Sequence, residues 1–360
     1  MKILAIESSC DDTAAALLEV NGDTFTILSE KTASQIDIHK IYGGVVPEVA
    51  ARAHAEKMLP VIEEVLGDTK PDFIAVTSSP GLLTALLVGV EAAKNLSYLW
   101  GIPLISINHI EGHICSALIP EKDQNEYKLN FEFPAMCLIV SGGHTELILM
   151  RDYGDYERLG KTADDAAGEC FDKTAKILGL EYPGGPKISK FATTGNRRAI
   201  NFPRPMIKED NLNFSFAGLK TSALYWLRDN ELAAMNVVPN VFPAGVFAQA
   251  PNAVTIEDFC ASFEQAILDV LIVKTLKACK KYQAKTVILG GGVSANKALR
   301  EQLKYEIQNF DSTLQFRSPD TKYAMDNAAM IAVAAISKIK KQDFTTWQNL
   351  SADPNWHIGE

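Results

Sequence analysis

One succession of elements occurs twice along this chain of 360 residues, and nothing else in the sequence restricts the fold as much. Lys2 to Ile6, Thr13 to Val20 and Thr24 to Leu28 read as strands, the last two joined by Asn21-Gly22, a pair that favours a tight hairpin turn. A helical stretch from Pro47 to Leu66 follows, then the buried strand PDFIAVTSS, a helix from Leu82 to Trp100 and the strand PLISIN, which stops just before His109. Further along, AMCLIVSG, TELILMRD and YERLGK again read as three short strands, with a helix from Asp164 to Leu178. After a long insertion come a helix from Ile256 to Tyr282, the strand TVILGGG, a helix from Ser294 to Gln308, the strand LQFRSP and a last helix from Tyr323 to Lys341. The shared unit is three antiparallel strands, then helix, strand, helix, strand. Each copy is a mixed sheet that must bury its apolar faces under helices. Two α/β lobes built alike are therefore expected, and 47% apolar residues are enough to give each a core.

The same pattern locates the places where chemistry can sit. His109 and His113, in HIEGH, are about one helical turn apart, so both imidazoles share a face and can each offer a nitrogen to one divalent ion. A pair of hydrogen-bonded core histidines is the competing reading. The turns ESSCDDT (Glu7 to Thr13) and SGGHT (Ser141 to Thr145) stand at equivalent places in the two copies. Gly142 and Gly143 tolerate positive φ and let backbone N–H groups approach an anion, although most Gly-Gly pairs only close hairpins. GGGVSANKALR (Gly290 to Arg300) leaves a buried strand and opens a helix with Ser294 as the expected N-cap. It is either a plain connection or a nucleotide contact, with Asn296 reading a ribose or base edge. YPGGP (Tyr182 to Pro186) is a rigid turn able to pass beside a ribose. Asp326, in YAMDNAAMIA, falls at the start of the last helix, where a carboxylate can simply answer the helix dipole. The repeat, however, returns that helix to the first lobe beside HIEGH, which would complete a His, His, Asp set.

Composition removes several alternatives. Six cysteines (Cys10, Cys115, Cys137, Cys170, Cys260, Cys279) lack paired spacing, which favours free thiols over a disulfide frame or a cysteine-ligated zinc site. Glu7 interrupts the apolar core that a signal peptide needs, and no run approaches the ~20 apolar residues of a membrane helix, so a cytoplasmic chain without membrane contact is expected. A net charge of -9 argues against wrapping nucleic acid by bulk attraction. Two basic patches, one of Arg197, Arg198, Arg204 and Lys208 and one of Lys274, Lys277, Lys280, Lys281 and Lys285, read as solvated faces or as local nucleic-acid contacts.

These features resemble the duplicated ribonuclease H-like fold of actin, the sugar kinases and the heat-shock ATPases. There, two lobes close on a nucleotide, and the first-hairpin turn of each lobe faces the phosphates. The resemblance implies a first lobe of residues 1–125 with 324–345, a second of 126–323 with an insertion near 229–254, a tail of 346–360, and a nucleotide cleft between the lobes. Over nearly its whole length the chain is also similar to the tRNA N6-adenosine threonylcarbamoyltransferases, formerly classed as O-sialoglycoprotein endopeptidases. The segments that carry the similarity are KILAIESSCDDT, GGVVPEVAARAH, NHIEGH, LIVSGGHTEL, GECFDKTAKILGL, YPGGP, FSFAGLKT, LGGGVSANKALR and MDNAAMIA. It implies metal ligands at His109, His113 and Asp326, holding one divalent ion per chain, iron in preference to zinc. It further implies adenylate-substrate positions at Ile139, Val140, Ser141, Gly142, Gly143, Asp172, Gly185 and Asn296. The chain departs from the family at Ala217, where serine is common, at PGLLTALLVG near Gly81, and in an enlarged loop from Asp229 to Val254, departures that bear on partner contacts and loop geometry.

The implied reaction passes the threonylcarbamoyl group of threonylcarbamoyl-adenylate to N6 of adenosine 37 in tRNAs reading codons that begin with A, and leaves AMP. An exocyclic adenine amine is a poor nucleophile, so the carbonyl needs polarising and the leaving phosphate needs its charge stabilised. Asp11, a carboxylate on the phosphate-facing turn, is the candidate acceptor of the amine proton. The implied partners are tRNA, a smaller paralogous subunit and a P-loop ATPase, since so acidic a chain needs others to supply part of a basic surface. Four other functions compete. A metallo-glycoprotease of the H-E-x-x-H kind puts Glu directly after the first His, whereas Glu111 lies about 200° around the helix from His109 and faces away from the ion. A phosphotransferase on the same fold would hold Mg2+ mainly through phosphate and water, so the histidine pair counts against it, whereas a carbamoyltransferase acting on a small acceptor would differ only in that acceptor. A non-catalytic scaffold would have no use for a complete ligand set.

Overall fold

The computed structural model describes residues 1–119, 126–230 and 254–359. Lys2–Glu7 (β1), Asp12–Asn21 (β2) and Thr24–Ser34 (β3) form an antiparallel meander. Phe73–Ser79 (β4) runs parallel to β1, and Leu104–Asn108 (β5) parallel to β4. With Tyr127–Lys128 (β6) added beside β3, the first sheet has the order β5-β4-β1-β2-β3-β6. The second repeats it: Ala135–Val140 (β7), Thr145–Asp152 (β8) and Asp155–Lys161 (β9) form the meander, Thr286–Gly290 (β10) and Gln315–Arg317 (β11) add in parallel, and the order is β11-β10-β7-β8-β9. The duplicated two-lobed α/β fold expected from the sequence is present.

Ten α-helices are assigned among the described residues: Ile36–Lys40 (α1), Pro47–Leu66 (α2), Leu83–Trp100 (α3), His109–Ser116 (α4), Ala167–Ile177 (α5), Gly184–Ala192 (α6), Ala217–Asp229 (α7), Ile256–Tyr282 (α8), Lys297–Phe310 (α9) and Ala328–Lys340 (α10). The period-two strand pattern decides where each packs. Leu4, Ile6, Ala15 and Leu17 point to one side of the first sheet and are covered by Met58, Val61, Ile62 and Val90 of α2 and α3. Ile3, Ala5, Ala14, Ala16 and Leu18 point to the other side, into a core that also takes Ala135, Cys137, Ile139 and Ile148 from the second sheet. Between the sheets, in that core, lie Ile110 and Ile114 of α4 and the long apolar face of α10, from Ala328 to Ile339. Each fully buried Leu or Ile contributes about 1.5–3 kcal/mol, so this central layer holds α4 and α10 firmly in place. Gly112 makes their close approach possible, because a Cβ there would stand 2.7 Å from the Ile331 side chain.

Several boundaries differ from the expected ones, each for a local reason. β3 continues to Ser34 instead of stopping at Leu28, because β2 pairs with it along its whole length past a bulge at Leu17/Leu18. The last helix starts at Ala328, not Tyr323: Asn327 caps it through Oδ1, which accepts from Met330 N at 2.9 Å. Asp326 is therefore outside the helix rather than in its first turn. α9 likewise starts at Lys297 with Asn296 as its cap, and Ser294 sits in a preceding 3-10 turn. Asp164, expected to open α5, instead accepts from Phe216 N and Ala217 N at 2.8 and 3.2 Å, where it caps α7. β6 joins the first sheet although residues 126–323 were assigned to the second lobe. The segment expected as a tail is bound down: Asp353 N donates to Ser78 O, Asn108 Nδ2 donates to Trp356 O, and Ile358 is buried in the core between the sheets. Of the expected insertion near 229–254, residues 231–253 lie outside the described residues.

Candidate metal and adenylate site

α4 and α10 are the same element of the repeat, each following the last strand of its unit, and the site forms where their N-terminal ends meet. Asn108 caps α4, its Oδ1 accepting from Ile110 N at 2.9 Å, which fixes the first turn that carries His109. His109 Nε2 lies 3.4 Å and His113 Nε2 3.2 Å from the same oxygen, Asp326 Oδ1. One ligand atom from each of the three residues falls within 4.8 Å of the others, the one such group of three among the described residues. Donors bound at about 2.0–2.2 Å around a tetrahedral ion stand about 3.3 Å apart, so this spacing fits a first-row metal. His113 gives the independent test: both of its ring nitrogens are buried and neither makes a hydrogen bond of acceptable geometry. A buried imidazole with two orphaned nitrogens is costly, and a cation at Nε2 removes half of that deficit. The residues fit the ion that the sequence called for.

Behind His109 stands Glu7, which the sequence places at the start of the ESSCDDT turn and at a break in an apolar run, with no role towards the metal ligands. Its side chain is wholly buried at the end of β1. Glu7 Oε2 lies 3.1 Å from His109 Nδ1 and accepts from Thr77 Oγ1 at 2.6 Å, while Glu7 Oε1 accepts from Ser9 N at 2.5 Å. A carboxylate on Nδ1 keeps the proton there and turns the Nε2 lone pair towards Asp326. Burial disfavours a charged His109, but Asp326 and Glu7 outweigh it and push its pKa up to about 10. In the metal-free chain a proton on His109 thus takes the place of the cation. Loading with metal at pH 7.5 is expected to release about one proton, and apparent affinity should rise about tenfold per pH unit between pH 6 and 9. Calorimetry in buffers of different ionisation enthalpy reads that proton directly.

The hairpin turns flank this centre. In the first, His54 of α2 braces the backbone: Thr13 Oγ1 lies 2.8 Å from its Nδ1 and Cys10 O lies 3.0 Å from its Nε2. Asp11 is half-buried, and burial together with Asp326 raises its carboxyl above the usual range. Asp12 is driven further, to about 7, by burial and by Asp326. In the second turn, Ser141 N donates to His144 O at 2.8 Å, which closes SGGH, while the N–H groups of Gly142 and Gly143 have no partner among the described residues. Neither glycine uses the positive φ it tolerates; a Cβ on either would meet nothing within 4 Å, so the pair leaves open space in front of its donors. Positive φ is found instead at Gly291, at 84°, where a Cβ would stand 2.5 Å from Val140 O. His144, next in the turn, was not singled out in the sequence; burial and the nearby His109 and His113 lower its pKa to about 3, so it is a neutral imidazole facing the centre.

The remaining expected positions divide into two kinds. Ile139 and Val140 are fully buried, so β7 can offer only backbone there. Asp172 Oδ1 accepts from Gly184 N and Gly185 N at 2.7 and 3.1 Å, shaping the PGGP turn, and Asp11 is near enough to help raise the Asp172 pKa beyond the effect of burial. Asn296 is occupied: Oδ1 accepts from Leu299 N, and Nδ2 donates to Ser189 Oγ and Glu264 Oε1 at 2.9 and 2.6 Å. Its side chain holds the fold and has no donor left for a base edge. Glu111 points away from the metal ligands and accepts from Tyr156 Oη at 3.1 Å, as its place on the helix required. Of the basic patch, Arg204 is bound to Asp269 at 2.9 and 3.0 Å, whereas Arg197 and Arg198 are exposed.

Comparison with known proteins gives the family and the fold. The family model described as TsaD, tRNA N6-adenosine threonylcarbamoyltransferase, matches residues 26–333. A Clostridium perfringens protein of that name is 46% identical over 363 residues, covering 99% of this chain and 98% of the relative. One from Streptococcus pneumoniae is 44% identical over 358 residues, covering 98% and 96%. Among solved structures, full-length HypF in its phosphate- and nucleotide-bound form aligns with a TM-score of 0.58 at 14% identity, over 94% of this chain and 56% of that one. HypF from T. kodakarensis aligns at 0.57 and 13%, over 97% and 49%. The chain thus spans about half of each HypF, and likeness at such identity concerns the fold alone. With a full-length match at more than 40% identity to proteins of one name, the chain belongs to the tRNA N6-adenosine threonylcarbamoyltransferase family.

Proposed function

We propose that the chain transfers the threonylcarbamoyl group from threonylcarbamoyl-adenylate to N6 of adenosine 37 in tRNAs reading codons that begin with A, giving N6-threonylcarbamoyladenosine and AMP. The observation that carries the reading is the orphaned, fully buried His113 beside His109 and Asp326, with the unpartnered N–H groups of Gly142 and Gly143 in the turn of His144, which is close enough to His109, His113 and Asp326 to feel their charge. His109, His113 and Asp326 would hold a divalent ion, iron or zinc by donor type, whose chemistry when bound is Lewis-acid polarisation of a carbonyl. The rest falls to the chain itself. Gly142 and Gly143 donate to the phosphate of the departing AMP, and the PGGP turn, held by Asp172, runs along its ribose. Asp11, its pKa raised by burial and by Asp326, takes the proton that the amine loses.

The acidic net charge of -9 leaves tRNA binding to a complex, in which a smaller paralogous subunit and a P-loop ATPase supply basic surface. Six unpaired cysteines fit the reducing cytoplasm, and no helix among the described residues is long and apolar enough to cross a membrane. Arg197 and Arg198 are this chain's own contribution to the tRNA surface. Reversing both charges (R197E, R198E) is expected to weaken tRNA binding by the complex several-fold and to lower the salt slope by about 2, with the fold intact. Arg204→Glu should instead lower thermal stability, because it leaves Asp269 facing a like charge.

Incubating the chain and its partners with threonylcarbamoyl-adenylate and unmodified tRNA, then digesting the RNA, tests the reading. The modified nucleoside should appear by mass. Its absence, with carbamoylation of a small amine acceptor instead, would replace tRNA as the substrate.

A further inference from the structure

Two motifs that look independent in the sequence share one carboxylate. Glu7 ends β1, and the turn that follows it begins with Ser8 and Ser9. One Glu7 oxygen holds Ser9 N at 2.5 Å and the other faces His109 Nδ1 at 3.1 Å; Ser9 Oγ lies 3.1 Å from the same ring nitrogen. The turn has no slack on its other side. Leu82 N donates to Ser9 O at 2.8 Å, Ser8 Oγ donates to Ala85 O at 3.0 Å, and a Cβ on Gly81 would stand 2.6 Å from Ser9 O. Thr77 Oγ1 fixes the Glu7 carboxylate from β4 at 2.6 Å. A displacement of the turn therefore has to move the Glu7 carboxylate, and with it the imidazole of His109.

From this geometry we infer that Glu7 is a positioning residue that couples the metal ligands to the adenylate-facing turn, so that ion and adenylate each tighten the binding of the other. The inference rests on the metal and adenylate reading proposed above. Linkage makes the effect reciprocal: the factor by which one ligand improves the other must be the same in both directions. Glutamate is needed because each of its oxygens accepts a hydrogen bond, whereas glutamine has one acceptor oxygen for the three donors Ser9 N, His109 Nδ1 and Thr77 Oγ1. In Glu7→Gln, either Ser9 N or His109 Nδ1 meets an N–H group.

The test uses the full chain, stripped of metal and titrated with Co2+, whose visible spectrum reports its ligands, with and without AMP. In the wild type, AMP should tighten Co2+ about fivefold or more, and Co2+ should tighten AMP by the same factor. Glu7→Gln should bind both ligands, with Co2+ weakened about 10–100-fold and its spectrum shifted, and with the mutual factor reduced at least threefold. Glu111→Gln, a buried carboxylate on the far side of α4, should leave the factor unchanged. If Glu7→Gln does not fold by circular dichroism, Thr77→Val, which removes the hydrogen bond that fixes the Glu7 carboxylate from β4 and keeps the carboxylate itself, should lower the factor. A factor preserved in the folded variant, or lowered equally by Glu111→Gln, overturns the coupling. Wild type that binds both ligands independently also overturns it while leaving the proposed function in place. Wild type that binds no Co2+ overturns both.

Discussion

Replacing His113 by alanine is expected to abolish metal binding and transfer, each by at least about 100-fold, while leaving the metal-free protein nearly as stable as before. The two halves of that expectation have different causes. One of three ligands is gone, so the remaining pair holds the ion weakly. In the metal-free fold, however, neither buried nitrogen of His113 makes a hydrogen bond of acceptable geometry, although Asp326 Oδ1 stands 3.2 Å from Nε2. Removing the ring opens a cavity worth about 2–4 kcal/mol but relieves about 1–3 kcal/mol of unmet hydrogen bonding. The melting temperature of the apo variant should therefore stay within a few degrees of wild type, and the rise on adding Zn2+ or Fe2+ should vanish. His109→Ala should behave differently. It strips the buried Glu7 and the half-buried Asp326 carboxylates of their shared partner, and an unpaired buried charge at Glu7 costs about 3–5 kcal/mol even without metal. Calorimetric scans of both variants, with and without metal, separate the two patterns.

Gly290→Ala should damage the site from a distance. The Cβ would stand 2.6 Å from His113 O and 2.9 Å from the Ile139 side chain. His113 O cannot yield freely, since it lies in α4 and also accepts from Ser116 Oγ at 2.7 Å. Relief requires α4 and β10 to part by several tenths of an ångström, an overpacking cost of about 1–3 kcal/mol. A fall in melting temperature of roughly 2–10 °C is expected, with metal affinity weakened about tenfold because His113 rides on the displaced backbone. Gly143→Ala is the control for stability, because its Cβ enters open space at an ordinary φ, and its melting temperature should not change. Equal melting temperatures for the two variants would mean that β10 does not brace the metal helix.

The duplicated fold was legible because each strand is short, apolar and bounded by turns, and because the order of elements is the same in both copies. The pairing of HIEGH with Asp326 was legible for the same reason, since the repeat makes α4 and α10 equivalent. Helix starts were not: Asn327 and Asn296 take the cap positions, and only side-chain geometry shows that Asp326 is left free for an ion and that Asn296 is occupied. Glu7 was the largest omission. Its partner lies 102 positions away and is brought to it by β4 and β5 stacking beside β1, a relation that no local spacing encodes. A charged residue at the end of a strand otherwise buried on both faces was the available signal.

Anomalous diffraction from crystals grown with Zn2+ and AMP tests the central claim most directly. One peak per chain is predicted at about 2.0–2.2 Å from His109 Nε2, His113 Nε2 and an Asp326 oxygen, with the AMP phosphate on the N–H groups of Gly142 and Gly143. A peak at other residues, or a phosphate bound away from those two glycines, would contradict the account.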